Sequence, residues 1–275
     1  MTTRILFAFM LTLALFTANA GPATAQASSA AGTIEAPEKV IPFAKKVERE
    51  LAERGALVAI VSRMGRDPKQ MPDGIGEYTH VGIWVYSEMT AADGSKVNGY
   101  AVYNLYQTEE DAGRSTLVQD FPAEFFGSVF DLKTGIVIPT PEVQAEILRV
   151  LNSPAYGKLH VPAYSVVANP YDWRYQNCTN FVMSVLVSAI YGTDDRAEIT
   201  GYLKAHYEPQ QVKLSGVTRA FGSIFVDGFA TSDHEGGPLR TSTFDSIVRF
   251  LTTYGMAEAV LEVTEDEVTE KLTEL

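Results

Sequence analysis

Hydrophobic and polar positions alternate along this chain with two different periods. From Ile41 to Arg54 apolar residues recur at helical spacing among alternating charges, and Gly55 supplies a stop. A continuous apolar run from Ala56 to Ser62 follows and predicts a buried strand. After a loop rich in Gly, Pro and Asp, His80 to Tyr86 and Gly99 to Tyr106 are two further β-rich stretches separated by Ala92-Asp93-Gly94-Ser95. An Asp-Gly pair between such runs predicts an antiparallel hairpin.

Helical patterns dominate the second half. Pro141-Glu142 opens a predicted helix to Leu151, and Cys178 to Tyr191 is the most apolar helical stretch of the chain. Further helices are predicted over Asp195 to His206, Ser215 to Phe225 and Ser242 to Tyr254, with a last strand over Ala257 to Val263. Strands clustered early and helices mostly late predict an α+β domain around one antiparallel sheet. The acidic tail Glu262 to Leu275 is expected to be a solvated element end, and Gly21 to Ala36, rich in Ala, Thr and Ser, a disordered lead-in.

The N-terminus changes the picture by suggesting a compartment. Arg4 precedes an apolar run from Ile5 to Phe16, and Ala18-Asn19-Ala20 and Ala25-Gln26-Ala27 offer small-residue cleavage patterns. This reads as a signal peptide over 1–27, leaving 28–275 as one domain in a periplasmic or secreted protein. The run falls short of the roughly 20 residues of a membrane span. A formal charge of −12 argues against nucleic acid and anionic lipid as partners, since both recruit clustered Lys and Arg. With 46% hydrophobic residues among 275, the chain can bury a large core. Nothing in it sets the oligomeric state.

One cysteine carries most of the candidate chemistry. Cys178 stands where the polar turn Gln176-Asn177 runs into the apolar helix, a position at which free N–H groups and the helix dipole favour a thiolate. A lone cysteine in an exported chain forms no internal disulfide, so it is either reactive or a small buried hydrophobe. His80, at the mouth of the first hairpin strand, is the candidate base. An antiparallel return brings the end of the second strand beside it, so Asn104 or Gln107 could orient its ring. These two face opposite sides of the strand. A tight turn at Asp93-Gly94 would pair His80 with Gln107, whereas a looser loop centred on Ala92 would pair it with Asn104; the polar, small-residue stretch Met89 to Val97 favours Asn104. The Cys178 N–H could hold an oxyanion, with Gln176 or the Tyr175 hydroxyl as a second donor.

Thr79-His80-Val81-Gly82-Ile83 opening a strand, followed far downstream by Asn177-Cys178-x-x-Phe181-Val182 opening a helix, resembles the circularly permuted branch of the papain-like NlpC fold. Over Asn104-Leu105-Tyr106-Gln107, Phe125-Phe126 and Tyr175-Gln176-Asn177-Cys178 the chain looks closest to an uncharacterised bacterial family, domain of unknown function 2145. The resemblance implies a papain-like single domain with Cys178 as nucleophile and His80 as base. It implies no particular substrate, because permuted members include peptidases, amidases and acyltransferases. The helix start departs from the pattern, reading Asn-Cys-Thr-Asn where peptidoglycan hydrolases usually carry Asp-Cys-Ser-Gly.

The expected function is therefore an exported thiol hydrolase or acyl-transfer enzyme acting on peptide, acyl or cell-wall substrates without cofactor or metal. The alternative is a non-catalytic envelope module that keeps the fold and binds through its cleft. His160 and His206 read as structural, and Asp233-His234-Glu235 as a loop too compact to complete a metal cage. Tyr164, Tyr171, Trp173 and Tyr175 could line a cleft or fill the core. There is no Gly-x-Ser-x-Gly, His-Glu-x-x-His or Gly-x-x-x-x-Gly-Lys pattern to support serine hydrolase, zincin or P-loop chemistry.

Overall fold

The computed structural model describes residues 33–34, 36–90, 94–214 and 227–271. The proposed signal segment 1–27, part of the hairpin turn and the helix expected over Ser215 to Phe225 lie outside the described residues. Along the chain run β1 (Thr33–Ile34), α1 (Pro37–Glu53), β2 (Val58–Arg63), β3 (His80–Thr90), β4 (Lys96–Gln107), β5 (Ser115–Asp120) and α2 (Pro122–Phe125). Then come β6 (Ser128–Val129), β7 (Lys133–Pro139), α3 (Pro141–Leu151), α4 (Ala155–Lys158), α5 (Cys178–Tyr191) and α6 (Arg196–His206). The described chain closes with β8 (Gln210–Gln211), β9 (Arg240–Thr241), α7 (Phe244–Thr253), β10 (Ala257–Thr264) and β11 (Val268–Glu270).

A seven-stranded antiparallel sheet in the order β11-β10-β7-β2-β3-β4-β5 is the frame of this α+β fold. Helices cover it on both faces. Alternation along β2 explains how: Val58 and Ile60 face a core shared with α3, α5, α6 and α7, while Ala59 and Val61 face one shared with α1 and α2. The central strands are consequently apolar on both sides, which is why Ala56 to Ser62 reads as an unbroken hydrophobic run. Burial on both faces also explains α5, whose side chains from Cys178 to Ala189 are all buried. Among the described residues no helix is long and apolar enough to cross a membrane.

The expected helices over 141–151 and 178–191 have those bounds, and the final strand runs to Thr264. The acidic tail is partly structured, since β10 takes in Glu262 and pairs with β11. Sequence patterning missed β5 and β7. Ser115–Asp120 buries only its two ends and so shows little alternation, whereas Lys133–Pro139 is buried almost throughout and has no polar beat to mark it.

A buried amide bolts α3 to the sheet. Gln144 accepts from the N–H groups of Leu57 (2.8 Å) and Val58 (3.0 Å) and donates to the carbonyl of Pro139 (2.7 Å). Removing it strands the Val58 N–H and the Pro139 carbonyl in the interior, each costing about 1–3 kcal/mol. Gln144→Ala should therefore lower the unfolding free energy by at least about 2 kcal/mol in urea titration; an unchanged midpoint would show that α3 is held by apolar packing alone.

Candidate functional site

The β3–β4 hairpin pairs from Thr90↔Lys96 to Ile83↔Tyr103. Beyond that point β3 stays paired with β2 as far as His80↔Arg63, and β4 stays paired with β5 as far as Gln107↔Ser115. The ladder thus opens between the start of β3 and the end of β4. Extended into the opening, its register would set His80 beside Tyr106 and Gly82 beside Asn104, which corrects both expected registers. Asn104 nevertheless reaches His80 on the diagonal: its Oδ1 lies 3.0 Å from Nε2 of the imidazole.

Gly82 makes that diagonal possible. A Cβ there would stand 2.7 Å from Asn104 Oδ1 and 3.2 Å from Phe125, so only a residue without a side chain admits the amide. Gln107 lies on the opposite face, donating to the carbonyl of Ala112 at 2.6 Å, and takes no part. The amide's orientation is fixed from behind. Asn104 Nδ2 donates to Asp120 Oδ2 at 3.0 Å, and the Tyr106 hydroxyl donates to the same oxygen at 2.6 Å. Oδ1 is then the atom left for the imidazole, which must carry its proton on Nε2 and keep Nδ1 as a base. Tyr106 also stacks on His80, with centroids 4.8 Å apart and planes 16° from parallel.

Cys178 approaches from the other layer, at the start of α5. Asn177 caps the helix by accepting from the N–H of Asn180 (2.8 Å), and its Nδ2 ties the turn to Val166 O and Thr241 Oγ1. Asn180 clamps the first turn between Ala168 O and the N–H of Ser242. Asn177 and Asn180 thus fix the start of α5 from both sides. Backbone N–H groups alternate sides along a strand, and that of Tyr86 goes to Leu57, just before β2, so that of Val81 turns toward β4. In the opening it meets the sulfur of Cys178. The thiol therefore lies against the residue next to His80, within electrostatic reach of Arg63, Tyr106 and Tyr164.

Burial governs the charges. The Cys178 side chain is 4% exposed, and burial pushes its thiol up despite the Val81 N–H, Thr179 and Arg63. His80 is 1% exposed; burial, reinforced by Arg63, holds its imidazole well below the usual range against the opposing Asn104 bond. The expected thiolate, stabilised by the helix terminus and an imidazolium, gives way to a neutral thiol beside a neutral ring, because desolvation outweighs the dipole. Burial likewise raises the Asp120 carboxyl, partly offset by the Tyr106 bond and Arg63.

Other expected residues stand elsewhere. Gln176 accepts from the N–H of Val161 (2.9 Å) and donates to Leu159 O (3.1 Å), so its amide staples the 159–161 loop. Tyr175 accepts from Ser232 at the surface, while Tyr171 and Trp173 bond to Tyr207 O and Thr200 around α6. Of the four aromatics only Tyr164 reaches the thiol. His160 bonds Ser115, His206 lies 3.3 Å from the Tyr254 hydroxyl, and His234 bonds Val167 O. Among the described residues no cluster of three or more His, Cys, Asp or Glu could hold a metal ion. Arg63, Tyr106 and Asp120 were not singled out in the sequence. Tyr106 and Asn104 differ by two positions, a same-face signal that was available once the strand was recognised.

Residues 50–251 match the family described as "Uncharacterized protein conserved in bacteria (DUF2145)". The chain belongs to that family. No match was found among curated proteins or solved structures. The matched span contains Arg63, His80, Asn104, Asp120 and Cys178.

Gly82→Ala should push the Asn104 amide off His80, changing the imidazole nitrogen shifts in NMR and costing about 1–3 kcal/mol of stability; unaltered shifts would break the link between Gly82 and the diagonal bond. A pH effect follows from His80. Its folded pKa is depressed, so between that value and about 6.5 the unfolded chain binds the extra proton. The contribution is complete above about pH 6.5 and is lost as pH falls toward the folded value. Urea titrations at about pH 5 and pH 7 should show lower stability at the acid end, with a smaller difference in His80→Ala.

Proposed function

We propose that this protein is an exported, papain-like thiol hydrolase or acyl-transfer enzyme of the permuted NlpC type, acting on an amide or ester of cell-envelope material. One observation carries the reading: a histidine held in one tautomer by an amide lies next to a strand N–H that meets a helix-terminal thiol. In the reaction, His80 Nδ1 takes the proton of Cys178 as sulfur attacks the carbonyl carbon. The Cys178 N–H at the start of α5 receives the oxyanion. The ring then returns its proton to the leaving amine or alcohol, leaving a thioester. Water or a second nucleophile releases the acyl group, with His80 again as base. Asn104 keeps Nε2–H engaged throughout, and Asp120 with Tyr106 keeps Asn104 from rotating.

A binding module remains the second reading, favoured by the burial of Cys178 and the upward displacement of its thiol pKa. The two readings part on covalent chemistry. Cell-wall peptides and acylated envelope fractions incubated with the protein should yield cleaved or transferred products by mass spectrometry. Cys178→Ala should lose at least about a thousandfold in rate while retaining cooperative unfolding, since a small side chain is replaced by another. Full activity in that variant would sink the thiol mechanism. Tight binding of the same fractions without turnover in the wild-type protein would establish the module.

A further inference from the structure

Arg63 is 1% exposed, yet only part of its hydrogen-bonding capacity is used. Nη1 donates to the carbonyl of Phe125, while Nε and Nη2 have no hydrogen-bond partner among the described residues. A buried guanidinium in that state is costly, because water has been removed and nothing replaces it on two nitrogens. The two nitrogens are not a random pair. Nε–H and the neighbouring Nη2–H run parallel along one edge of the planar group, forming the fork that takes both oxygens of a carboxylate.

The fork stands at the candidate site. Arg63 is the register partner of His80, and its guanidinium carbon lies 5.7 Å from the ring centroid of Tyr106 and 5.2 Å from that of Phe125. A side chain rooted on β2 that reaches a β4 ring crosses the β3 position and ends at the opening where the ladder fails. Asp120 lies within electrostatic reach of Arg63, but its Oδ2 receives Asn104 and Tyr106, and no ion pair joins it to Arg63 among the described residues.

We propose that the Nε–Nη2 edge of Arg63 binds a carboxylate of the molecule that reacts at Cys178, making the substrate an acyl compound with an anionic group near the scissile bond. This extends the thiol reading above and depends on it. Within electrostatic reach of the thiol are Arg63 from β2, Tyr106 from β4 and Tyr164 from the loop before α5, and His80 from β3 stacks on Tyr106 and is the register partner of Arg63. Asp120 lies within electrostatic reach of Arg63 and Glu124 and accepts from Tyr106. A guanidinium does not lose its proton in the working pH range, so recognition by such a fork does not fade as a histidine loses its own proton.

Alkylation tests this without knowledge of the substrate, because Cys178 is the only thiol in the chain. Iodoacetate and iodoacetamide differ in a carboxylate against a neutral amide. The iodoacetate-to-iodoacetamide rate ratio at Cys178 should exceed that of free cysteine by about tenfold or more, and hold from about pH 6 to pH 9. Acetate should protect the wild-type thiol from iodoacetamide, and acetamide should not. Arg63→Gln should reduce the ratio to the free-thiol value, and Arg63→Lys, which keeps charge but loses the fork, should fall between. If Arg63→Gln fails to fold, the wild-type ratio and the acetate protection still decide. Labelling at the free-thiol ratio overturns the carboxylate site and leaves the thiol mechanism standing. A ratio that fades above about pH 6.5 assigns the preference to an imidazolium and overturns it too. Slower labelling of Arg63→Gln by both reagents equally would assign Arg63 to the thiolate instead. No labelling of the folded protein by either reagent removes both readings.

Discussion

A sheet covered by helices on both faces offers no water to its polar groups, so each one must find a partner inside the protein. The candidate site grows from this constraint. Where β3 and β4 part, their facing backbone and side chains would be stranded in a dry interior. The Cys178 sulfur meets one strand N–H from the α5 side, and on the opposite face an amide, an imidazole, a phenol and a carboxylate satisfy one another in sequence. Two layers of the fold that share no element thus contribute to one place, and the break in the ladder joins them. Among the described residues of this group, Arg63 alone keeps side-chain nitrogens without a hydrogen-bond partner.

Direction runs through the chain of polar groups. An ionised carboxylate can only accept, so Asp120 takes the donor end of the Asn104 amide, and the acceptor end is left for His80. Reversing Asn104 would set oxygen against oxygen and nitrogen against a ring N–H. The tautomer of His80 is therefore determined two residues away, on β5, through an amide admitted by a glycine on β3. Aspartate or glutamate in place of Asn104 would break this ordering, since two neighbouring carboxylates would compete for one proton.

The sequence carried the helices and the hairpin well because each has a local cause. Pro141 starts α3, Asn177 caps α5, and the apolar run of α5 is long enough to tell it from a strand. It carried His80 and Asn104 as neighbours because a hairpin must return on itself, and Cys178 as a helix-start residue because Asn177 caps the helix there. Register was less legible. The ladder is centred between the two alternatives weighed, and the contact forms diagonally because Gly82 lacks a side chain, an effect that strand counting does not contain. Arg63 and Asp120 were hidden more deeply. Each becomes a neighbour of the site only through strand order, β2 beside β3 and β5 beside β4, and sequence patterning did not reveal β5.

Burial also reverses the electrostatic expectation drawn from the helix terminus. A helix N-terminus contributes about 0.3–1 kcal/mol to an exposed anion, whereas full desolvation can move a pKa by several units, each worth about 1.4 kcal/mol. In a closed site the second effect wins, and both thiol and imidazole rest uncharged. Such a pair needs no imidazolium to begin a reaction, because a neutral base can take the thiol proton once a carbonyl carbon is in place to receive the sulfur. In the proposed reaction, charge would develop as the bond forms, within electrostatic reach of the Arg63 guanidinium. Activation would thus be coupled to occupancy of the site, and an empty site would keep the protein's single thiol protonated.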